Sequence, residues 1–212
     1  MTASILRRAA TVFTLLIASA AAHADLLIGN LDQPVRFPAP LANDFWYAQS
    51  FLTPAGGPLR LDLVTVRVGQ VVGAPNVIAE LRADNAGSPG GMLTGFSFGP
   101  FGAGPTQNEM LTPLSPLMLA PETTYWLLMG VNGAGGFDWD YAQGNGASGS
   151  GSFYQYAYTE TQGASWVGFG TEDPMMMRVD VTPMPVPEPA SAWLMAAGLA
   201  VAFSARRRLL RS

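Results

Sequence analysis

The side chains best placed to do chemistry in this sequence are two carboxylates two residues apart, Asp138 and Asp140. If that stretch is a strand, the spacing puts both on one face. Such a pair can contribute hard oxygens to a calcium ion or serve as the two acids of glycoside hydrolysis. Retaining hydrolysis wants the carboxyls about 5 to 5.5 Å apart and flanking the bond, whereas acids on one strand point side by side. The pair therefore reads first as solvated or calcium-bridged, with carboxylate-based polysaccharide hydrolysis as a more distant alternative. Asp84 with Asn85, and Glu172 with Asp173, offer similar oxygens, but none has the ligand spacing of an EF-hand, and turn capping accounts for them.

No better base is available. The chain has no cysteine and no lysine, and its one histidine, His23, lies in a segment expected to be removed. Ser-His-Asp and Cys-His mechanisms need a neutral base that takes a proton near pH 7. The mature chain lacks one, so it is expected not to be an enzyme and to need no cofactor other than, at most, calcium at Asp138 and Asp140.

Six aromatic residues flank a glycine-rich stretch at Gly144 to Gly151: Trp139, Tyr141, Tyr154, Tyr156, Tyr158 and Trp166. Rings of this kind stack on sugar faces, which makes them candidate glycan contacts. Aromatics are also ordinary strand residues that pack in cores. The glycine-rich stretch itself reads as a mobile loop.

The elements that would position these groups are strands. Between Asp25 and Pro183, short alternating segments are separated by Gly, Pro and Asn clusters. Leu59, Leu61 and Leu63 alternate with polar residues, then Val64, Val66 and Val68 do so one residue out of phase. A bulge near Leu63 and Val64, or a crossing between sheets, would restore one inward face. Val77, Ala79 and Leu81 face inward, Asp84 to Gly91 makes a turn, and Met92 to Phe98 returns antiparallel. Thr123 to Val131 is apolar on both faces and predicts a central strand. Tyr154, Tyr156 and Tyr158 are expected on one face of a strand, and Met175, Met177, Val179 and Val181 on one face of the last. The fold class predicted is all-β, an antiparallel, jelly-roll-like β-sandwich over 25–183.

The ends carry a different signal. Residues 1–24 hold Arg7, Arg8 and an apolar run from Ala9 to Ala22, followed by small residues at Ala22 and Ala24. This is the pattern of a signal peptide cut after Ala24, leaving Asp25 first, with the secretory translocon and signal peptidase as partners. At the other end, a proline-rich linker at 184–189 contains Val186, Pro187, Glu188 and Pro189. An uncharged run, Ala190 to Ala205, follows, and then Arg206, Arg207, Arg208 and Arg211. The sixteen residues of the apolar run rise about 24 Å as a helix, marginal for a membrane core of about 30 Å. A transmembrane helix at 190–205 with an arginine-rich cytoplasmic tail at 206–212 is expected from the positive-inside bias. Over residues 25–189, five arginines face fifteen acids, a balance that disfavours phosphate backbones and argues against nucleic-acid binding.

The three ordered parts from Val186 to Ser212 resemble the PEP-CTERM sorting signal of Gram-negative bacteria. The resemblance implies recognition by an exosortase, a membrane cysteine protease-transferase acting near Pro187-Glu188-Pro189, after a transient stay in the inner membrane. It also implies association with extracellular polysaccharide and biofilm systems. The pieces Ala48-Gln49-Ser50-Phe51, the Asp84 to Gly91 turn, and Leu119 to Leu128 followed by Trp139 are similar to the choice-anchor R type domains, which implies a β-sandwich without implying an activity. The function expected is an exported surface protein, a structural or adhesive component of an exopolysaccharide matrix, the alternative being a carbohydrate-binding module with a defined glycan ligand.

Overall fold

A computed structural model describes residues 24–101, 104–170 and 172–184. Among these residues every regular element is a strand and every pairing is antiparallel. In chain order the strands are β1 (Asp25–Gly29), β2 (Val35–Leu41), β3 (Trp46–Leu52), β4 (Leu59–Val72), β5 (Asn76–Asp84), β6 (Pro89–Ser97) and β7 (Gln107–Pro113). They continue with β8 (Leu117–Leu119), β9 (Thr124–Asn132), β10 (Gly136–Ala142), β11 (Ser152–Thr159), β12 (Val167–Phe169) and β13 (Met177–Pro183).

They form one open sheet folded over into two layers. In the first layer β4 is the spine. One of its edges carries β13 and then β10, the other carries β8 and then β7; β1 lies outside β13 and β2 outside β10. The second layer runs β6-β5-β9-β3-β11-β12. A short pairing of β6 with β7, at Phe96↔Pro113 and Ser97↔Thr112, joins the layers along one flank. The sandwich predicted from the alternation is present, but its two layers are continuous there. On the opposite flank the edge strands β2 and β12 are not paired to one another, and the sandwich is open.

The interior is a single apolar cluster drawn from both layers, including Val64, Val66 and Val179 from the first and Phe51, Leu81 and Leu127 from the second. The phase change in β4 is resolved by a bulge. Asp180 pairs with Leu63 but Val181 with Leu61, which leaves Asp62 as the extra residue. Leu61, Val64, Val66 and Val68 then all point inward. Asp62 is held outside by Arg60 Nε at 2.8 Å and by the Thr182 hydroxyl. A second extra residue in β4 is Gln70, at φ 50, where Gly136 pairs with Val72 and Asp138 with Gly69.

The central strand is β9, between β5 and β3, and only its first and last residues escape full burial. Its inner face, with Leu127, Met129 and Val131, enters the main core. Its outer face is covered by a second cluster of Trp46, Ala48, Trp126, Leu128 and Ala157. Gly130 makes this possible, because a Cβ there would meet the Trp46 ring. Indole hydrogen bonds from Trp46 Nε1 to the Val131 carbonyl (3.0 Å) and from Trp126 Nε1 to Asp84 Oδ1 (2.8 Å) tie the rings down.

The glycine-rich stretch is stitched to β1 instead of standing free. Gly29 and Ser148 exchange backbone hydrogen bonds of 2.9 and 2.8 Å, and Gly151 N–H donates to the Leu27 carbonyl at 2.7 Å. Gly149, at φ +111, passes so close to Leu27 that a side chain would strike its carbonyl oxygen. Its glycines serve close backbone approach along an otherwise exposed sheet edge. No helix of the described residues is long and apolar enough to cross a membrane. The signal helix and the 190–205 run lie outside the described residues.

Candidate functional site

Asp138 and Asp140 both point outward from β10, opposite Pro40 and Pro38 of β2. Asp140 is nonetheless only 2% exposed, and the cation beside it is a guanidinium: Arg67 Nε lies 3.3 Å from Asp140 Oδ2, without hydrogen-bond geometry. Burial pushes the Asp138 carboxyl above its ordinary range. Burial does the same to Asp140, with Arg67 pulling the other way and Asp138 adding repulsion. Among the described residues no three His, Cys, Asp or Glu side chains gather in one place. The two acids lie side by side on one strand, not across a cleft from one another.

Arg67 is typical. All five arginines of the domain sit against an acid: Arg36 on Asp173, Arg60 on Asp62, Arg67 on Asp140, Arg82 on Glu80 and Arg178 on Asp180. The domain thus presents no uncommitted cation among its described residues, and its excess charge is acidic.

The six aromatic candidates separate into four environments. Trp139 is wholly buried, and its Nε1–H donates to the Met176 carbonyl at 2.9 Å; Tyr141 is 5% exposed. Both are core residues, and their rings are not offered to a ligand. Trp166 packs on the outer cluster of the second layer, and its Nε1 has no partner. Tyr154, expected to share a face with Tyr156 and Tyr158, does not. Phe153 pairs with Phe51 but Tyr156 with Gln49, so β11 carries one extra residue, and Tyr154 turns outward at 57% exposure. Phe153, Tyr156 and Tyr158 pack against the core instead.

The bulge that separates these tyrosines is closed by two polar side chains of β3. Ser50 Oγ donates to the Gln155 carbonyl (2.7 Å) and accepts from Gln155 N–H (2.9 Å), while Gln49 Nε2 donates to the same carbonyl at 3.0 Å. Gln49 Oε1 also accepts from Met175 N–H at 2.9 Å, which bolts the second layer to the first. Both side chains are fully buried. The stretch Ala48-Gln49-Ser50-Phe51 therefore does structural work, repairing backbone groups that a bulge frees.

What remains at the open flank is a run of rings that bridges the layers. Phe37 of β2 lies 4.8 Å from Tyr141, and Tyr141 reaches across to Tyr156 of β11 at 5.3 Å and Tyr47 of β3 at 5.9 Å. Phe169 of β12 stacks on Tyr156 (5.1 Å, 15°) and on Tyr158 (5.5 Å, 19°), and Phe45 stacks on Tyr158 (5.1 Å, 20°). The Tyr141 phenol is held far above its ordinary ionisation range by burial first, then by the neighbouring phenols of Tyr47 and Tyr156. Phe37 and Phe169, the outermost rings, are 47% and 42% exposed. Sequence reading passed over both. Phe37 sits in the proline-flanked segment Val35-Arg-Phe-Pro-Ala-Pro-Leu41, and Phe169 in a three-residue strand, too short for alternation to register.

Comparison with known families decides the tail. Residues 185–208 match the family model described as the PEP-CTERM protein-sorting motif. The chain carries a PEP-CTERM sorting motif. The protein is accordingly exported and sorted through the membrane-associated exosortase pathway to the surface of a Gram-negative bacterium. Val186, Pro187, Glu188, Pro189, Arg206, Arg207 and Arg208 fall within the motif, with Arg211 just beyond it; all lie outside the described residues, as do Ala22 and the rest of 1–23. No curated protein matches the chain. The sorting-motif match leaves the strand domain outside it, so the similarity of Leu26 to Val181 to the choice-anchor R type domains gains no support from it.

Proposed function

We propose that this protein is a non-catalytic structural or adhesive component of an extracellular polysaccharide matrix, delivered there by its sorting motif. The motif at 185–208 carries the reading, because it addresses the folded domain to the exosortase pathway. The domain's own chemistry supports it. The buried polar side chains Gln49, Ser50 and Asn30 are spent on backbone groups, and Asp140 lies against Arg67, so these groups are committed to holding the fold together.

Fractionation of the producing cells tests the proposal. With an active exosortase the protein should appear in the matrix fraction, lacking its C-terminal arginines by mass. In cells without the exosortase it should stay with the inner membrane. Recovery of a chain still ending at Ser212 in the matrix, or retention in the membrane of exosortase-positive cells, would overturn it. The carbohydrate-binding alternative is favoured by one observation, the half-exposed rings of the open flank.

A further inference from the structure

We propose that the open flank between β2 and β12 is a binding site for an uncharged polysaccharide, gripped by ring stacking on Phe37 and Phe169. The inference rests on the matrix reading above and gives it a location.

Cross-strand neighbours share a face of a sheet. Phe37 pairs with Tyr141 and Phe169 with Tyr156, so both outer rings belong to the inward faces of their layers. They are half exposed because each stands on an edge strand, where the facing layer stops. Burying such rings fully would have required another strand on either edge. Each is instead packed against tyrosines and left about half exposed, Phe37 beside Tyr141 with the Arg36 guanidinium over its ring and Phe169 nearly parallel to Tyr156 and Tyr158. The ring-to-ring path Phe37–Tyr141–Tyr156–Phe169 spans at most about 15 Å, the reach of a short stretch of glycan.

The polar surroundings select against charge on the ligand. Arg36 lies over the Phe37 ring with its guanidinium carbon 5.5 Å from the centroid, and it is already engaged by Asp173. Glu172 adds negative charge near Tyr156. A uronate or sulfate would meet this acidic rim with no free cation to receive it, whereas sugar hydroxyls can hydrogen-bond both the guanidinium and the carboxylates. A few apolar faces with converging polar groups is the usual composition of a small-molecule or glycan site.

Affinity electrophoresis of the exported protein recovered from cells tests the site, with hydroxyethyl cellulose and dextran as neutral glucans and alginate as the anionic comparison. Retardation by at least one neutral glucan is expected, with a dissociation constant raised ten-fold or more in Phe37→Ala and Phe169→Ala. Phe169→Leu, which keeps an apolar edge but removes the ring, should weaken binding similarly, and guards against misfolding of the alanine variant. Tyr154→Ala, on the opposite face of β11, should bind as the parent does. No retardation by either neutral glucan, retardation by alginate alone, or unchanged binding in Phe169→Leu would overturn the proposal. Because matrix delivery is read by fractionation, failure of the site and failure of the matrix reading are distinguishable.

Discussion

Asp25, the first residue of β1, stands opposite Val181 in the β1–β13 ladder, two residues before that strand ends at Pro183. The two ends of the domain therefore leave it side by side, one at the expected signal-cleavage point and the other just ahead of the sorting motif at 185. β1 follows the cleavage point without slack, and Leu27 and Ile28 within it are wholly buried. The exported protein should begin at Asp25 by mass or N-terminal sequencing. Deleting residues 25–29 should cost roughly 3 to 6 kcal/mol, the worth of two buried aliphatic side chains. An unchanged denaturation midpoint would show that β1 is dispensable.

Ser50→Ala leaves Gln155 N–H without an acceptor at the β11 bulge. A loss of about 1 to 3 kcal/mol is expected for an unsatisfied buried donor. Gln49→Leu should cost at least as much, since it also strips Met175 N–H of its acceptor. Urea unfolding of the two variants checks both, and values within error of the parent would contradict the repair role.

Trp139→Ala should lower stability by about 3 to 5 kcal/mol, as for a large core ring. Trp139→Phe retains most of the volume and removes one of two hydrogen bonds to the Met176 carbonyl, which keeps that from Arg67 N–H, for about 0.5 to 1.5 kcal/mol. Neither effect is expected of a surface ring, where changes stay within about 0.5 kcal/mol.

The Asp138 carboxyl is pushed above its ordinary value of 3.8 by burial. An acid whose folded value is raised destabilises the fold when ionised, so the penalty is full above the folded value and absent below the unfolded one. Asp138→Asn should raise the melting temperature at pH 7, and the gain should shrink as pH falls toward 3.8. A gain that persists or grows in acid would contradict the assignment.

Much of the fold follows from local pattern. Alternation around Leu59 to Val68 calls for an inward face with a correction near its middle, and the Asp62 bulge supplies it. Apolar residues on both faces of Thr123 to Val131 call for a central strand, because only a covered strand can bury both. The turn expected over Asp84 to Gly91 is equally local, though it closes by Ser88, with Pro89 to Gly91 already in β6: Asp84 accepts from Gly87 N–H, and Asn85 and Ser88 exchange backbone hydrogen bonds. The sorting motif, too, is a linear signal, legible because proline, apolar run and arginines act in sequence order.

What needed tertiary structure was the fate of individual rings. Alternation assigns Tyr154, Tyr156 and Tyr158 to one face, but a single extra residue in β11 reverses the first relative to the others, and the partners that stabilise that bulge, Gln49 and Ser50, lie some hundred residues earlier. Trp139 and Phe37 look alike as strand aromatics. One lies in the middle of the first layer, beneath the second, and the other on an edge where the covering layer ends. Composition and periodicity determine that a residue faces inward; only the packing of distant strands decides whether anything lies there to cover it.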